Sequence, residues 1–123
     1  MKSLIAMIAV SLFTVASAHA DVQVADNQRT MKINCAKTPD VSVLGNQNTI
    51  TTSGTCNRIS IAGNQNSVNG TATTVAIAGN DNTVKVTADE VSVTGNDNTV
   101  SVPKALKLKK PNISNVGNDN TIK

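Results

Sequence analysis

Few residues of this chain can do covalent or acid–base chemistry. Two cysteines, Cys35 and Cys56, are present, and the single histidine, His19, and the single aromatic residue, Phe13, both lie within the first twenty residues. General acid–base catalysis relies mostly on His, Tyr, Cys or carboxylates held in a cleft. Beyond residue 20 the chain has eight carboxylates, and no long insertion offers a cleft to hold them. The sequence therefore predicts no enzyme and no cofactor.

The cysteine pair has three possible uses. In an exported protein, two cysteines about twenty residues apart predict a disulfide between Cys35 and Cys56. Closing a loop of that size contributes about 3 kcal/mol in the chain-entropy model. The alternatives are two free buried thiols or half of a metal site. The metal alternative is disfavoured because no His follows residue 20 and the spacing is not that of a zinc ligand pair.

A second feature is a column of carboxylates. Asp81, Asp97 and Asp119 recur at one position of a repeat, so that stacking of the repeats would bring their oxygens into a line suited to calcium. The repeat lacks the glycine-rich pattern of calcium-binding rolls. Gln holds the same position earlier in the chain, which favours solvated corners, so no metal is predicted.

A third feature is a lysine segment between the prolines at 103 and 111. Its cations are Lys104, Lys107, Lys109 and Lys110. They can form a patch for an anionic surface, or a solvated loop that stops a further strand from pairing. No aromatic side chains are interleaved for base stacking. Without Lys2, ten basic residues face eight acidic ones, too near balance to predict a nucleic-acid partner.

All of these residues belong to a short repeat. With the corner residue as zero, six copies align at Asp26, Gly45, Gly63, Gly79, Gly95 and Gly117, with spacings of 19, 18, 16, 16 and 22 residues. Asn follows zero in every copy, and Asn recurs three after zero in all but the first, where Arg29 stands. The predicted structural corners are Gly45-Asn46, Gly63-Asn64, Gly79-Asn80, Gly95-Asn96 and Gly117-Asn118. A period below 25 residues that recurs this often is typical of a solenoid.

The apolar positions indicate which solenoid. Val or Ile stands four and two residues before zero in most copies, and an apolar residue stands five after zero in all six. This alternation predicts two short strands per copy with one buried face. Because identical positions recur at near-constant spacing, like should stack on like. The predicted fold is all-β, a parallel β-solenoid of about six short coils. Gly supplies the positive φ of each corner, Asn tolerates the left-handed region, and stacked Asn amides can bond from coil to coil.

The outward positions of the first strand form a flat strip of small residues. Three before zero the chain reads Gln23, Ser42, Ser60, Ala76, Ser92 and Ser114. Such a strip is either a tolerated exposed sheet or an association surface for an envelope partner or a second copy. Ice binding is disfavoured because lysines interrupt the Thr array that it would need. Sugar binding is disfavoured because no aromatic residue after residue 20 could stack on a sugar ring.

Residues 1–20 have the pattern of a signal peptide. Lys2 precedes an apolar run from 4 to 15, and Ala18-His19-Ala20 forms a small-x-small cleavage site. The alternative, a membrane-spanning helix, is disfavoured because the run is shorter than the ~20 residues needed. The predicted mature protein is one domain, residues 21–123, located in the periplasm or secreted, with no membrane span.

The repeat resembles a known family. The Gly-Asn-x-Asn motifs within residues 41–102, the Cys-bearing stretch 51–56 and the closing motif of residues 113–122 are similar to the bacterial family called domain of unknown function 3060. The resemblance covers about the last three quarters of the chain. It implies a secreted β-solenoid-like domain and brings no known activity. The first copy departs from the pattern at Asp26, and we expect it to be an N-terminal cap.

These observations predict an exported, non-enzymatic structural or binding module of the cell envelope. The alternative is a self-assembling matrix or adhesive fibre subunit, because Asn-rich repeats of low charge stack end to end easily.

Overall fold

The computed structural model describes residues 21–123, and all regular structure in that range is β-strand. The strands are β1 (Asp21–Val24), β2 (Thr30–Asn34), β3 (Asp40–Val43), β4 (Thr49–Ala62), β5 (Ser67–Ala78), β6 (Thr83–Thr94), β7 (Thr99–Ser101), β8 (Asn112–Val116) and β9 (Thr121–Ile122). No helix in this part of the chain is long and apolar enough to cross a membrane. The predicted signal peptide, with its cleavage site, lies outside the described residues.

Every pairing is parallel and joins one coil to the next. Before the corners, the strands stack in the order β1, β3, β4, β5, β6 and β8, and after the corners in the order β2, β4, β5, β6, β7 and β9. The register matches identical repeat positions, as where Val75 pairs with Val91 and Val91 with Ile113. The chain is a parallel β-solenoid of about six coils, which confirms the fold predicted from the repeat.

The three long strands run round a second, wider bend. In β5 and β6 all positions pair in register except Thr73 and Asp89. The buried positions of β5 are even-numbered up to Ala72 and odd-numbered from Val75 on, so the strand turns there. Each 16-residue coil therefore has one tight corner, at Gly-Asn-x-Asn, and one bend within a continuous strand. In β4 the register against β5 shifts between Thr51 and Thr55, next to Gly54 with φ of 74°. The shift absorbs the two extra residues of that coil.

The core consists of β-branched ladders along the solenoid axis. Ile59, Val75 and Val91 form part of one column, and each is at most 2% exposed. Two parallel columns hold Val43, Ile61, Ile77 and Val93, and Ile50, Val68, Val84 and Val100. Strands about 4.8 Å apart place each branched side chain in contact with its equivalents above and below. Burial of one such side chain contributes roughly 1.5–3 kcal/mol.

The inward pattern weakens in the last coil. Ile113 is 42% exposed and Asn115 is also exposed, although both continue buried columns. Their neighbours lie on one side only, since no further coil covers them within the described chain. The periodicity of the sequence predicts an inward position for such residues, but it does not predict that they are exposed at the end of the stack of coils.

One inward column contains a glycine beside a threonine. Thr52 pairs with Ile33 in the preceding coil, and Gly70 pairs with Val86 in the following coil. A Cβ at Gly70 would overlap the Thr52 Oγ1, which is buried and has no hydrogen-bond partner. Gly70 therefore provides the room that the Thr52 side chain occupies.

Cys35 and Cys56 form a disulfide, as predicted from their spacing. The bond ties the residue after β2 to the middle of β4, with Cα atoms 4.8 Å apart and both side chains buried. Cys56 also lies in register with Ala72, and Ala72 with Ala88, so the bridge begins a column of small side chains. No cysteine among the described residues is free.

We predict that the apolar ladder, rather than the Asp column, holds the fold. Ile77→Ala should lower the free energy of unfolding by about 2–5 kcal/mol because no large neighbour can fill the cavity. That is a large share of the ~5–15 kcal/mol expected for a whole domain. The matched exposed variant, Asp97→Asn, should change stability little, since it removes one of a column of like charges. The measurement is thermal unfolding with added calcium and with chelator. Unfolding of the parent by chelator, or a greater loss in Asp97→Asn than in Ile77→Ala, would contradict the prediction.

Candidate functional site

The corner is a four-residue turn whose left-handed residue is the third. The residue between the two Asn has φ of 57° to 60° in all six coils, and these residues are Gln28, Gln47, Gln65, Asp81, Asp97 and Asp119. The sequence predicts the left-handed region at Asn, from the propensity of that residue. The structure corrects this, because both Asn amides are committed to the neighbouring coils.

The corner glycines meet two demands. Gly79 and Gly95 have φ of 147° and 129°, a region that residues with a Cβ rarely adopt. In addition, a Cβ on Gly95 would overlap the carbonyl oxygen of Gly79 one coil before. The same overlap arises at Gly45, where φ is not positive. The requirement common to all stacked corners is therefore the close approach of the two backbones. The repeat pattern predicts the positive φ but not this contact.

The first Asn of each corner forms an exposed ladder. Its Oδ1 accepts the backbone N–H of the equivalent Asn in the following coil at 2.8–3.2 Å, from Asn27 through to Asn118. The Nδ2 of Asn80 also donates to the Oδ1 of Asn64 at 3.2 Å. Since this ladder faces water, each bond replaces a bond to solvent.

The second Asn forms a buried ladder that runs the opposite way. Its Oδ1 accepts a backbone N–H from the preceding coil at 2.9–3.0 Å, and its Nδ2 donates to the carbonyl of the preceding zero residue at 2.8–3.0 Å. Asn48, Asn66, Asn82 and Asn98 are at most 1% exposed. Each amide thus supplies partners for two backbone groups that the corner would otherwise leave unpaired.

The left-handed column changes character along the axis. Gln28 donates to Gln47 at 2.9 Å and Gln47 to Gln65 at 3.0 Å, so the first three corners carry an amide ladder beside a shallow groove. Asp81, Asp97 and Asp119 continue the column on successive coils and are all exposed. Among the described residues, no group of three or more acidic, His or Cys side chains is arranged to hold a metal ion. The three Asp carboxylates thus stand at the same corner position of three successive coils and face solvent.

The lysine segment is a loop inserted at the bend of the fifth coil. It connects β7 to β8, and Lys104, Lys107, Lys109 and Lys110 are all exposed. Its anchor is Asp89, a buried carboxylate at the bend of the preceding coil. Asp89 Oδ1 accepts the backbone N–H groups of Leu106, Lys107 and Leu108 at 2.8, 2.7 and 3.1 Å. The four cations therefore lie on a loop whose middle, at residues 106–108, is hydrogen-bonded to the preceding coil.

Those bonds determine the acidity of Asp89. The N–H groups of Lys107 and Leu108, with that of Leu106, lower the pKa of the carboxyl below its usual 3.8, although burial opposes the shift. The role of Asp89 is not predictable from the sequence, because its partners are backbone groups 17 to 19 residues away, which leave no pattern in the sequence.

The flat strip lies where the repeat placed it. Ser42, Ser60, Ala76, Ser92 and Ser114 are in register along one face, half-buried or exposed. A shallow pocket of about 360 Å³ marks its C-terminal end, between the strip and the residues at the start of β8. Its lining includes one carboxylate, that of Glu90.

Comparison with known protein families identifies a match for this chain. A family model described as "Protein of unknown function (DUF3060)" matches residues 43–88 and again residues 67–119. The two matches overlap, as expected for repeats that resemble one another. No curated protein and no solved structure matches the chain.

We predict that the two Asn ladders differ in their contribution to stability. Asn82→Ala removes the acceptor of the Asn66 N–H and the donor to the Gly63 carbonyl. Two groups lose their partners at about 1–3 kcal/mol each, so the loss should be roughly 2–6 kcal/mol. Asn80→Ala is the matched control, since water can replace its exposed bonds, and should cost about 1 kcal/mol or less. Urea unfolding of both variants measures the difference. Equal losses of unfolding free energy in the two variants would show that the buried ladder does not contribute more to stability than the exposed ladder.

We also predict an acid-sensitive contribution from Asp89. Because its folded-state pKa lies below the unfolded value, its stabilising effect is present above 3.8 and is lost as the pH falls through the folded-state pKa. Asp89→Asn should therefore lower stability at neutral pH and flatten the dependence of stability on pH in the acid range. Unfolding at a series of pH values, with Asp97→Asn as the exposed control, tests this. An acid slope unchanged by Asp89→Asn would contradict the assignment.

Proposed function

This chain belongs to the family described as protein of unknown function (DUF3060), and from that premise we propose that it is an exported, non-enzymatic binding module of the cell envelope. The observation that carries the proposal is the buried disulfide between Cys35 and Cys56. Disulfides form and persist in oxidising compartments and are rare in the cytosol. The signal-peptide pattern of residues 1–20 supports the same location.

The use of the buried polar side chains supports a non-enzymatic role. The buried Asn amides bond the backbones of neighbouring coils, and the buried carboxylate of Asp89 is occupied by three N–H groups of the lysine segment. Side chains bound in this way hold the structure together and are not free to transfer protons to a substrate.

The lysine segment is the surface we favour for binding. Its four exposed ammonium groups lie within seven residues, on a loop anchored by Asp89. The anchored backbone reduces the ordering cost that a free lysine loop would pay on binding. The ligand class that fits is an anionic envelope polymer, such as lipopolysaccharide or a polyanionic glycan. The flat Ser/Ala strip is uncharged and is a second possible contact for an envelope or self partner.

The test is cell fractionation of the protein produced with its own N-terminal segment. We expect the chain outside the cytoplasm, starting at Asp21, with both cysteines protected from alkylation until reduction. Intact mass before and after reduction, with alkylation, measures this. A cytoplasmic protein with two alkylated thiols would refute export.

The same fractions test the binding surface. Replacing the four lysines of the segment by Gln should move the protein from the envelope fraction to the soluble fraction and remove its retention on immobilised lipopolysaccharide. A matched variant carries Gln at the four lysines of residues 21–123 that lie outside the segment, Lys32, Lys37, Lys85 and Lys123, and should behave as the parent does. If both variants lose retention equally, net charge rather than the segment governs attachment.

A further inference from the structure

The two ends of the solenoid have matching edges. At the C-terminal end, β8 is exposed throughout, with Val116 61% exposed, and β9 follows with no further strand paired to it in the described chain. At the N-terminal end, β1 and β2 lie in the same columns, separated by four intervening coils. Parallel edges with equal register would allow β1 of one copy to pair with β8 of another, which would extend the solenoid. The alternative predicted from the repeats, a fibre subunit, requires this contact.

The zero position of the first coil opposes that contact. Each corner that stacks on a preceding coil has Gly at zero, because a Cβ there would overlap the carbonyl oxygen of the preceding zero residue. Asp26 is the one zero residue of the six that has a Cβ, and no coil precedes it among the described residues. Seated on Gly117 of a second copy, the Asp26 Cβ would meet the Gly117 carbonyl. Asp26 also lacks the positive φ that Gly63, Gly79, Gly95 and Gly117 adopt.

The position three after zero opposes it as well. In coils two to six an Asn there accepts an N–H from the preceding coil and donates to its zero carbonyl. The first coil has Arg29, whose guanidinium has no acceptor. In a head-to-tail stack, the backbone N–H of Asn120 would be covered without the Oδ1 that every earlier coil receives.

The two departures also interact. The Arg29 guanidinium contacts the Asp26 carboxylate at 2.8 Å, with both side chains more than half exposed. The pair lies at the N-terminal corner, where a second copy would have to dock. At the other end, Asn115 Oδ1 accepts from Asn120 Nδ2 within its own coil, so this polar group already has a partner. The obstacle to stacking is thus concentrated in the first coil.

We propose that Asp26 and Arg29 together form a stop that prevents a second copy of this chain from adding head to tail. The stop goes beyond the proposed envelope role and does not depend on it. The C-terminal coil keeps a surface on which another coil could stack. The N-terminal coil cannot stack on a second copy, because of the Asp26 Cβ, the absence of an Asn amide at position 29 and the Asp26–Arg29 ion pair.

The experiment restores the repeat at both positions. The variant Asp26→Gly/Arg29→Asn should assemble, with a weight-average molar mass that rises several-fold with concentration while the parent stays constant. The proteins are expressed with their own N-terminal segment and purified as the cell processes them. Sedimentation velocity and light scattering give the mass, and electron microscopy shows whether the assemblies are linear.

The matched control is Asp26→Ala/Arg29→Ala. It removes the same ion pair but keeps a Cβ at zero and supplies no amide, so it should remain at the parent mass. Assembly of this control to the same extent would overturn the proposal, because loss of charge would then suffice. A folded Asp26→Gly/Arg29→Asn variant that keeps the parent mass would overturn it too, with circular dichroism confirming the fold.

Mixing distinguishes stacking at the ends from association through the flat strip. The parent can receive a variant on its own C-terminal coil, but its N-terminal coil accepts no further copy. Substoichiometric parent protein should therefore shorten the assemblies. If the parent leaves their length unchanged, the contact does not run through the ends, and the proposal fails.

Discussion

The close axial approach of successive corners is the constraint on which the rest of this structure depends. Where the carbonyl of one corner faces the backbone of the next, no Cβ fits, so zero must be Gly. The sharp turn that follows leaves backbone N–H and C=O groups without strand partners. The second Asn of the corner bonds one N–H group and one C=O group of the preceding coil, as Asn82 does with the Asn66 N–H and the Gly63 carbonyl. Once both Asn are fixed by hydrogen bonds, the remaining position takes the left-handed conformation. Residue types of the corner thus follow from the stacking of the coils more than from the local turn.

The coils that depart from the 16-residue period each have an additional tie. The disulfide lies beside the register shift of β4 and joins the coils of 19 and 18 residues. The carboxylate of Asp89 anchors the insertion in the coil of 22 residues. Between them, β5 and β6 pair in register at eleven positions with no such tie. In a repeat protein each coil contacts only its neighbours, so a weak coil cannot draw on a distant core. Local ties are therefore placed where the ladder is interrupted.

The columns of the solenoid could be predicted from the sequence because period-two alternation and a fixed repeat spacing together determine which residues stack. The disulfide could be predicted from the spacing of the two cysteines in a chain with a signal-peptide pattern. The left-handed residue could not be predicted, since the intrinsic preference of Asn competes with its amide bonds to other coils. The burial of Asn82 could not be predicted either, because polar character alone suggests solvent. Asp89 was missed because its partners are main-chain groups, which any residue supplies.

Residues that obey a repeat explain its fold, so the function of a repeat protein is best sought in the residues that depart from it. Here the departures are few and lie at different levels of the axis. Asp26 and Arg29 alter the first corner, the left-handed column changes from Gln65 to Asp81, and the lysine segment follows β7. The amide ladder of Gln28, Gln47 and Gln65 is neutral, whereas the later corners carry carboxylates and the inserted loop carries ammonium groups. The solenoid is thus chemically polar along its axis although its backbone repeats. The first coil adds a second asymmetry, because the Cβ of Asp26 and the absence of an Asn at Arg29 would admit a further coil at the C-terminal end alone.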